Sequence, residues 1–229
     1  MRVCRSHWAL ALVAVALAPG CDPSVEAIRV GPGCPESPLR GPAADADEPA
    51  DRLVSDFEHG STQLPQVAGR DGSWSRGRDL TSTSVTIAPS MACAARGEWA
   101  GHFAASPPTS WGNNWTAQFR AGAAPYDGSA YNGVSFWAAF GGDNGPAFGV
   151  PFGITTTDTV QPTCTTHCDD HYMAALTLTG SWRRYDIRFS DLTQQNAPQV
   201  PMRRDQMVGF IIWTRQQCDI WIDDIRLEP

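Results

Sequence analysis

The sequence predicts an all-β protein, a two-sheet jelly-roll β-sandwich behind an export leader and a tether. Three observations carry that expectation. From Leu53 onward, short apolar runs alternate with clusters of Gly, Pro, Asn and Asp, as in Pro125-Tyr126-Asp127-Gly128 and Gly141-Gly142-Asp143-Asn144-Gly145; this is the punctuation of many short strands. No segment sustains the apolar period of a helix. The stretch 53–229 is long enough to pack two sheets around a sizeable core.

Residues 1–20 read as a signal peptide. Arg2 and Arg5 form a basic start, Trp8 to Ala18 is unbroken apolar sequence, and Ala18-Pro19-Gly20 supplies small residues before Cys21. The apolar run falls short of the roughly 20 residues that a membrane-spanning helix needs. A cysteine directly after such a site resembles the lipobox of bacterial lipoproteins, in which that cysteine is acylated. The lipobox leucine stands three residues before the cysteine; here Leu17 stands four before it. The expectation is a lipidated Cys21 and a place in the cell envelope, periplasmic or at the surface; the alternative is plain secretion. Residues 21–52, rich in Pro, Ala, Gly, Asp and Glu, cannot bury enough apolar surface to order themselves. They read as a disordered tether.

The formal charge is −7, and all 17 basic residues are arginine. Loss of Arg2 and Arg5 with the leader takes the charge to −9. Without a basic stripe, nucleic acid and anionic lipid surfaces are poor partners; a lipid anchor is the expected link to the membrane. The folded part is expected to be a monomer.

The predicted strands run, in order, over 54–57, 84–87, 101–104, 115–120, 133–139, 148–155, 171–178, 183–189, 208–214 and 219–227, with a turn of helix at 191–195. Alternation assigns their faces. Val134 and Phe136 point inward, as do Tyr185, Ile187 and Phe189, Phe210 and Ile212, and Ile220 and Ile222. Trp137, Trp213 and Trp221 then fall on outer faces. An exposed aromatic patch ordinarily marks a binding surface. Indole rings stack on the apolar CH faces of sugars, and Arg184, Asp186 and His171 are the candidate hydrogen-bonding partners. The other readings are that loops cover these rings, or that a one-residue slip inverts the assignment.

Four motifs occur in order: Asp56-Phe57-Glu58-x-Gly60, Tyr131-x-Gly133-Val134-Ser135-Phe136-Trp137-Ala138, Trp182-x-x-Tyr185-x-Ile187-x-Phe189-Ser190-Asp191-Leu192, and Asp219-Ile220-Trp221-Ile222-Asp223-Asp224-Ile225. Over about residues 53–228 the chain thereby resembles the family 11 carbohydrate-binding modules and their galactose-binding-like jelly-roll relatives. The resemblance implies a sandwich with a glycan-binding cleft on one sheet and no catalytic role. The family's cleft is rich in tyrosine, whereas this chain has four tyrosines and outward tryptophans, so no binding residue is carried over. Related jelly rolls share a structural calcium between the first and last strands. The resemblance therefore makes Glu58, Asp223 and Asp224 candidate ligands, carboxylates being the donors this cation prefers.

Export makes disulfides the default. Cys4 leaves with the leader and Cys21 carries lipid. The candidate bridges are Cys164 to Cys168 and Cys93 to Cys218, with Cys34 spare, although four cysteines permit three pairings. The run Cys164-Thr165-Thr166-His167-Cys168-Asp169-Asp170-His171 also contains zinc-type ligands, but at a spacing tighter than ordinary zinc folds use. Asp169 and Asp170 beside His171 could serve acid–base chemistry, yet no nucleophile elbow, phosphate loop or His-Glu-x-x-His accompanies them. The sequence thus points to non-catalytic polysaccharide binding. The alternatives are an envelope docking or structural module and, third, a glycan hydrolase with carboxylates far apart in sequence.

Overall fold

The computed structural model describes residues 48–91, 93–141, 148–165, 168–196 and 200–229. The expected signal peptide, the lipidation site Cys21, Cys34 and all but the end of the expected tether lie outside the described residues. Among the described residues, eleven strands form two antiparallel sheets: β1 (Leu53–Ser55), β2 (Trp74–Arg78), β3 (Val85–Ser90), β4 (Ala100–Ala105), β5 (Asn113–Gln118), β6 (Gly133–Phe140), β7 (Phe148–Thr156), β8 (Tyr172–Leu178), β9 (Arg183–Arg188), β10 (Met207–Thr214) and β11 (Cys218–Glu228). The first sheet runs β3-β4-β11-β6-β9, with β1 also on β11; the second runs β2-β5-β10-β7-β8. This is a jelly-roll sandwich, as the sequence predicts.

All ten predicted strands form, with ends that coincide or are displaced by up to three residues. The eleventh, β2, reads as polar because Trp74 is the one residue of Trp-Ser-Arg-Gly-Arg that is buried. Its partner across the ladder is Ala117 of β5. The helical turn lies at Phe189–Asp191, just before its predicted place.

Alternation sets the core. Val134, Phe136, Ile187, Phe189, Phe210, Ile212, Ile220 and Ile222 are all buried in it, while Tyr185 is half-buried against it. Rings interlock through its centre: Phe136 meets Phe152 at 4.9 Å, Phe152 meets Phe210 at 5.4 Å, and Trp74 meets Phe210 edge-on at 4.9 Å. Offset and edge-on contacts of this kind add to the area that the rings bury.

Candidate functional site

The outer faces of the two sheets differ in kind. On the six-stranded sheet, Trp137 pairs across the ladder with Arg184 and with Asp223, and Trp221 pairs with Ala139. These side chains point away from the main core, as alternation requires. They are nevertheless covered. Trp221, Trp182, Cys93, Ala95, Ala100 and Ala139 form a second apolar cluster, with Trp137 packed against it. His102 stacks on Trp221 at 4.1 Å and 15°, and its Nε2 pairs with Asp219.

Asp223 holds the cover in place. Its carboxylate accepts the backbone N–H groups of Ala95 and Arg96, each at 2.9 Å, and that of Asp224 at 2.7 Å. Burial nonetheless pushes its carboxyl up to about 8, against the pull of those donors and with Asp224 adding to the rise.

The carboxylates predicted to hold calcium are engaged by groups of the chain itself. Glu58 accepts the N–H groups of Glu98 and Trp99, each at 3.0 Å. Asp224 receives Arg226 Nε at 2.9 Å and Arg96 Nη1 at 3.2 Å, and Glu48 meets the same Arg226 at 2.6 Å. Guanidinium groups thus meet Asp224, whereas Glu58 and Asp223 are held by backbone N–H groups.

The cysteines divide by face. Cys164 and Cys168 are bonded, with Cα atoms 5.5 Å apart, and so offer no thiolates to zinc. The Cys93–Cys218 pairing is corrected. Cys218 is a buried free thiol, whereas Cys93 is disulfide-bonded. The reason is alternation along β11: Cys218 points into the main core, and Cys93 belongs to the cluster on the opposite face of the same sheet.

Among the described residues, the five-stranded sheet keeps its outer face open. There a cleft of about 530 Å³ has Ile211, Met173 and Asn114 as its floor, within the size range of ligand sites. One row crosses four strands: Thr116 faces Ile211, Ile211 faces Gly153, and Gly153 faces Met173. A Cβ on Gly153 would stand 2.3 Å from the Met173 sulfur, so glycine lets that side chain lie flat.

One wall carries Trp111, Trp213 and Arg215. Trp111 is 45% exposed, and the Arg215 guanidinium lies 4.9 Å above the Trp213 ring, a cation–π contact. The other wall carries Asp169, Asp170, His171, Gln195 and Asn196. Asp170 braces that wall by accepting the N–H groups of Gln195 at 2.8 Å and Asn196 at 3.0 Å. His171 shares a 3.0 Å hydrogen bond with Thr159. Burial lowers the pKa of its imidazole, although Asp169 and Asp170 pull it upward, so at neutral pH the ring is uncharged and able both to donate and to accept. Aromatic planes facing hydrogen-bonding groups are suited to a sugar chain.

The six residues predicted to touch carbohydrate are therefore split. Trp213 and His171 line this cleft. Trp137 and Trp221 are packed on the other sheet; Arg184 and Asp186 lie on that sheet too, exposed, and pair with each other at 3.1 Å. Arg184 also reaches Glu228 at 3.3 Å. Those two line a wider groove of about 1160 Å³ whose aromatic rings, Tyr172 and Phe189, are buried. It offers no stacking surface. Sequence reasoning missed Trp111, Asn114, Arg215, Gln195 and Asn196. The signal for Trp111 was its setting, Ser110-Trp111-Gly112-Asn113, a tryptophan among turn residues.

Solved structures share this architecture. The fold is that of the carbohydrate-binding jelly rolls. A family 11 carbohydrate-binding module from Clostridium thermocellum, solved with a β-1,3-1,4-mixed-linked tetrasaccharide, superposes with a TM-score of 0.54 at 16% identity over 77% of this chain and 94% of that one. A family 30 module of a C. thermocellum cellulosomal cellulase gives 0.50 at 13% identity, over 76% and 95%. An exo-β-agarase gives 0.50 at 12% identity over 78% of this chain but 25% of its own. No family model and no curated protein matches the sequence.

Proposed function

We propose that this protein binds a polysaccharide, without cleaving it, in the cleft of the five-stranded sheet. The observation that carries this reading is the exposed indole of Trp111, set with Trp213 and Arg215 across from a wall of hydrogen-bonding side chains. The modules sharing the fold bind glycans or belong to glycan-degrading enzymes by their descriptions, and mixed-linked β-glucan is the first ligand to try. Of the two carboxylates lining the cleft, Asp170 is committed to backbone donors, which supports binding over hydrolysis. Export through the leader, with Cys21 acylated and 21–52 as a tether, completes the reading; the Cys164–Cys168 bond supports it, since such bonds persist in oxidising compartments.

The test is binding of the protein to glucans, xylans, mannans, agarose and peptidoglycan, followed by tryptophan fluorescence. Retention on at least one polymer with a fluorescence change, lost in Trp111→Ala, is expected. Retention on none of them would move the function to protein docking.

A further inference from the structure

We infer that Asp79, which does not line the cleft, is the positioning residue that holds Trp111 in its binding attitude. The inference rests on the cleft as the glycan site and explains how an exposed tryptophan is kept there. Asp79 is 1% exposed. Its Oδ1 accepts the N–H of Thr81 at 2.9 Å and the Thr81 hydroxyl at 2.7 Å. Its Oδ2 accepts the N–H groups of Ser110 at 3.0 Å and Gly112 at 3.2 Å, the residues on either side of Trp111. The backbone answers in the other direction: Asp79 N–H donates to the Gly112 carbonyl at 3.0 Å. Thr81 extends the latch, its hydroxyl oxygen accepting Thr109 N–H at 2.8 Å.

One carboxylate thus brackets Trp111 on both sides and ties its turn to residues 79–82. Gly112 completes the turn. Its φ of +119° is one that L side chains rarely adopt, and a Cβ there would lie 2.6 Å from the Thr214 carbonyl and 2.8 Å from Trp213 Nε1. Only glycine lets the turn that carries Trp111 come so close to Trp213 and the Thr214 carbonyl. The consequence for binding is preorganisation: a ring fixed before the ligand arrives avoids the ordering cost that a free side chain meets on association. An asparagine cannot substitute, because its amide nitrogen would face N–H donors on one side of the bracket.

The test begins without a ligand. Amide hydrogen exchange of Ser110 and Gly112 is compared in the wild type, in Asp79→Asn, and in Thr81→Val, whose exposed site keeps the fold safe if the buried change does not. Acceleration of about tenfold or more at both amides, with the β-sheet amides unchanged, is expected. Unchanged protection at Ser110 and Gly112 in a folded variant overturns the inference. Affinity for mixed-linked β-glucan, or for whichever polymer retains the wild type, is then measured in a double-mutant cycle. Asp79→Asn is expected to weaken binding about tenfold, and to add nothing once Trp111→Ala is present. Additive losses would make Asp79 a structural residue and nothing more. If the wild type binds no polymer, the glycan reading of the cleft fails, while the exchange result still decides what holds Trp111.

Discussion

The two outer faces of the sandwich solve the same problem in opposite ways. Each carries tryptophans turned away from the core, and each uses a buried aspartate to anchor a loop by its backbone N–H groups. On the six-stranded sheet Asp223 draws residues 95 and 96 down over Trp221. On the five-stranded sheet Asp79 grips residues 110 and 112 and leaves Trp111 standing out. The carboxyls respond accordingly. Asp79, supplied first by the Thr81 N–H and then by further donors, is lowered to about 2, while Asp223 is raised by burial to about 8. An outward tryptophan is therefore not by itself a binding residue. What the neighbouring loop does to it decides whether it serves packing or recognition.

Substitutions that remove one ring from each face test this contrast most directly. Trp221→Ala is expected to cost about 3–5 kcal/mol in denaturant unfolding, the usual effect of emptying a packed aromatic site, and to leave the glycan affinity of the remaining folded protein unchanged. Trp111→Ala is expected to do the reverse. It should weaken polysaccharide binding by about 2 kcal/mol, roughly thirtyfold in Kd, with the unfolding midpoint within error of wild type. If Trp221→Ala lost affinity and Trp111→Ala did not, the two faces would have to exchange roles.

The disulfide sharpens the picture of the open face. Replacing Cys164 and Cys168 by serine frees the loop leading to Asp169, Asp170 and His171, and closing so short a loop contributes about 2 kcal/mol or less. A modest fall in the melting temperature and a few-fold weaker binding are expected, measured by calorimetry and affinity electrophoresis.

The anchors themselves are separated by pH. The folded pKa of Asp79, about 2, lies below its unfolded value of about 4. Its stabilisation is therefore complete above pH about 4 and is lost as pH falls toward 2. Asp223 has the opposite sign: its folded value of about 8 lies above the unfolded one, so its contribution is full below pH about 4 and is lost as pH rises through 8. In melts taken across this range, Asp223→Asn should flatten the alkaline decline and Asp79→Asn the acid one. The smallest expected effect is that of a chelator. With Arg226 and Arg96 already on Asp224, melting with and without EDTA is expected to coincide, and a drop on chelation would support the calcium expectation.

Much of the fold could be read along the chain, because a strand half-buried against a core announces itself by alternation. Alternation turns Val134 and Phe136, Phe210 and Ile212, Ile220 and Ile222 inward, and all six are buried. The same parity put Trp137, Trp213 and Trp221 on outer faces. It could not tell them apart, since parity is a property of one strand and burial a property of its neighbours. Pairing Cys93 with Cys218 failed on the same distinction: both residues border one sheet, on opposite sides of it.

The local pattern by itself determined the sandwich, the inward residues and the tryptophan-rich character of the outer faces. Tertiary structure alone decided which face stays open, that Trp111 joins Trp213 and His171 in one cleft, and that Arg184 and Asp186 lie elsewhere. The physical reason is range. Strand alternation is set by covalent geometry over two residues, whereas the cleft depends on contacts such as Asp79 to Gly112 and Asp170 to Asn196, which join segments that only the folded chain brings together.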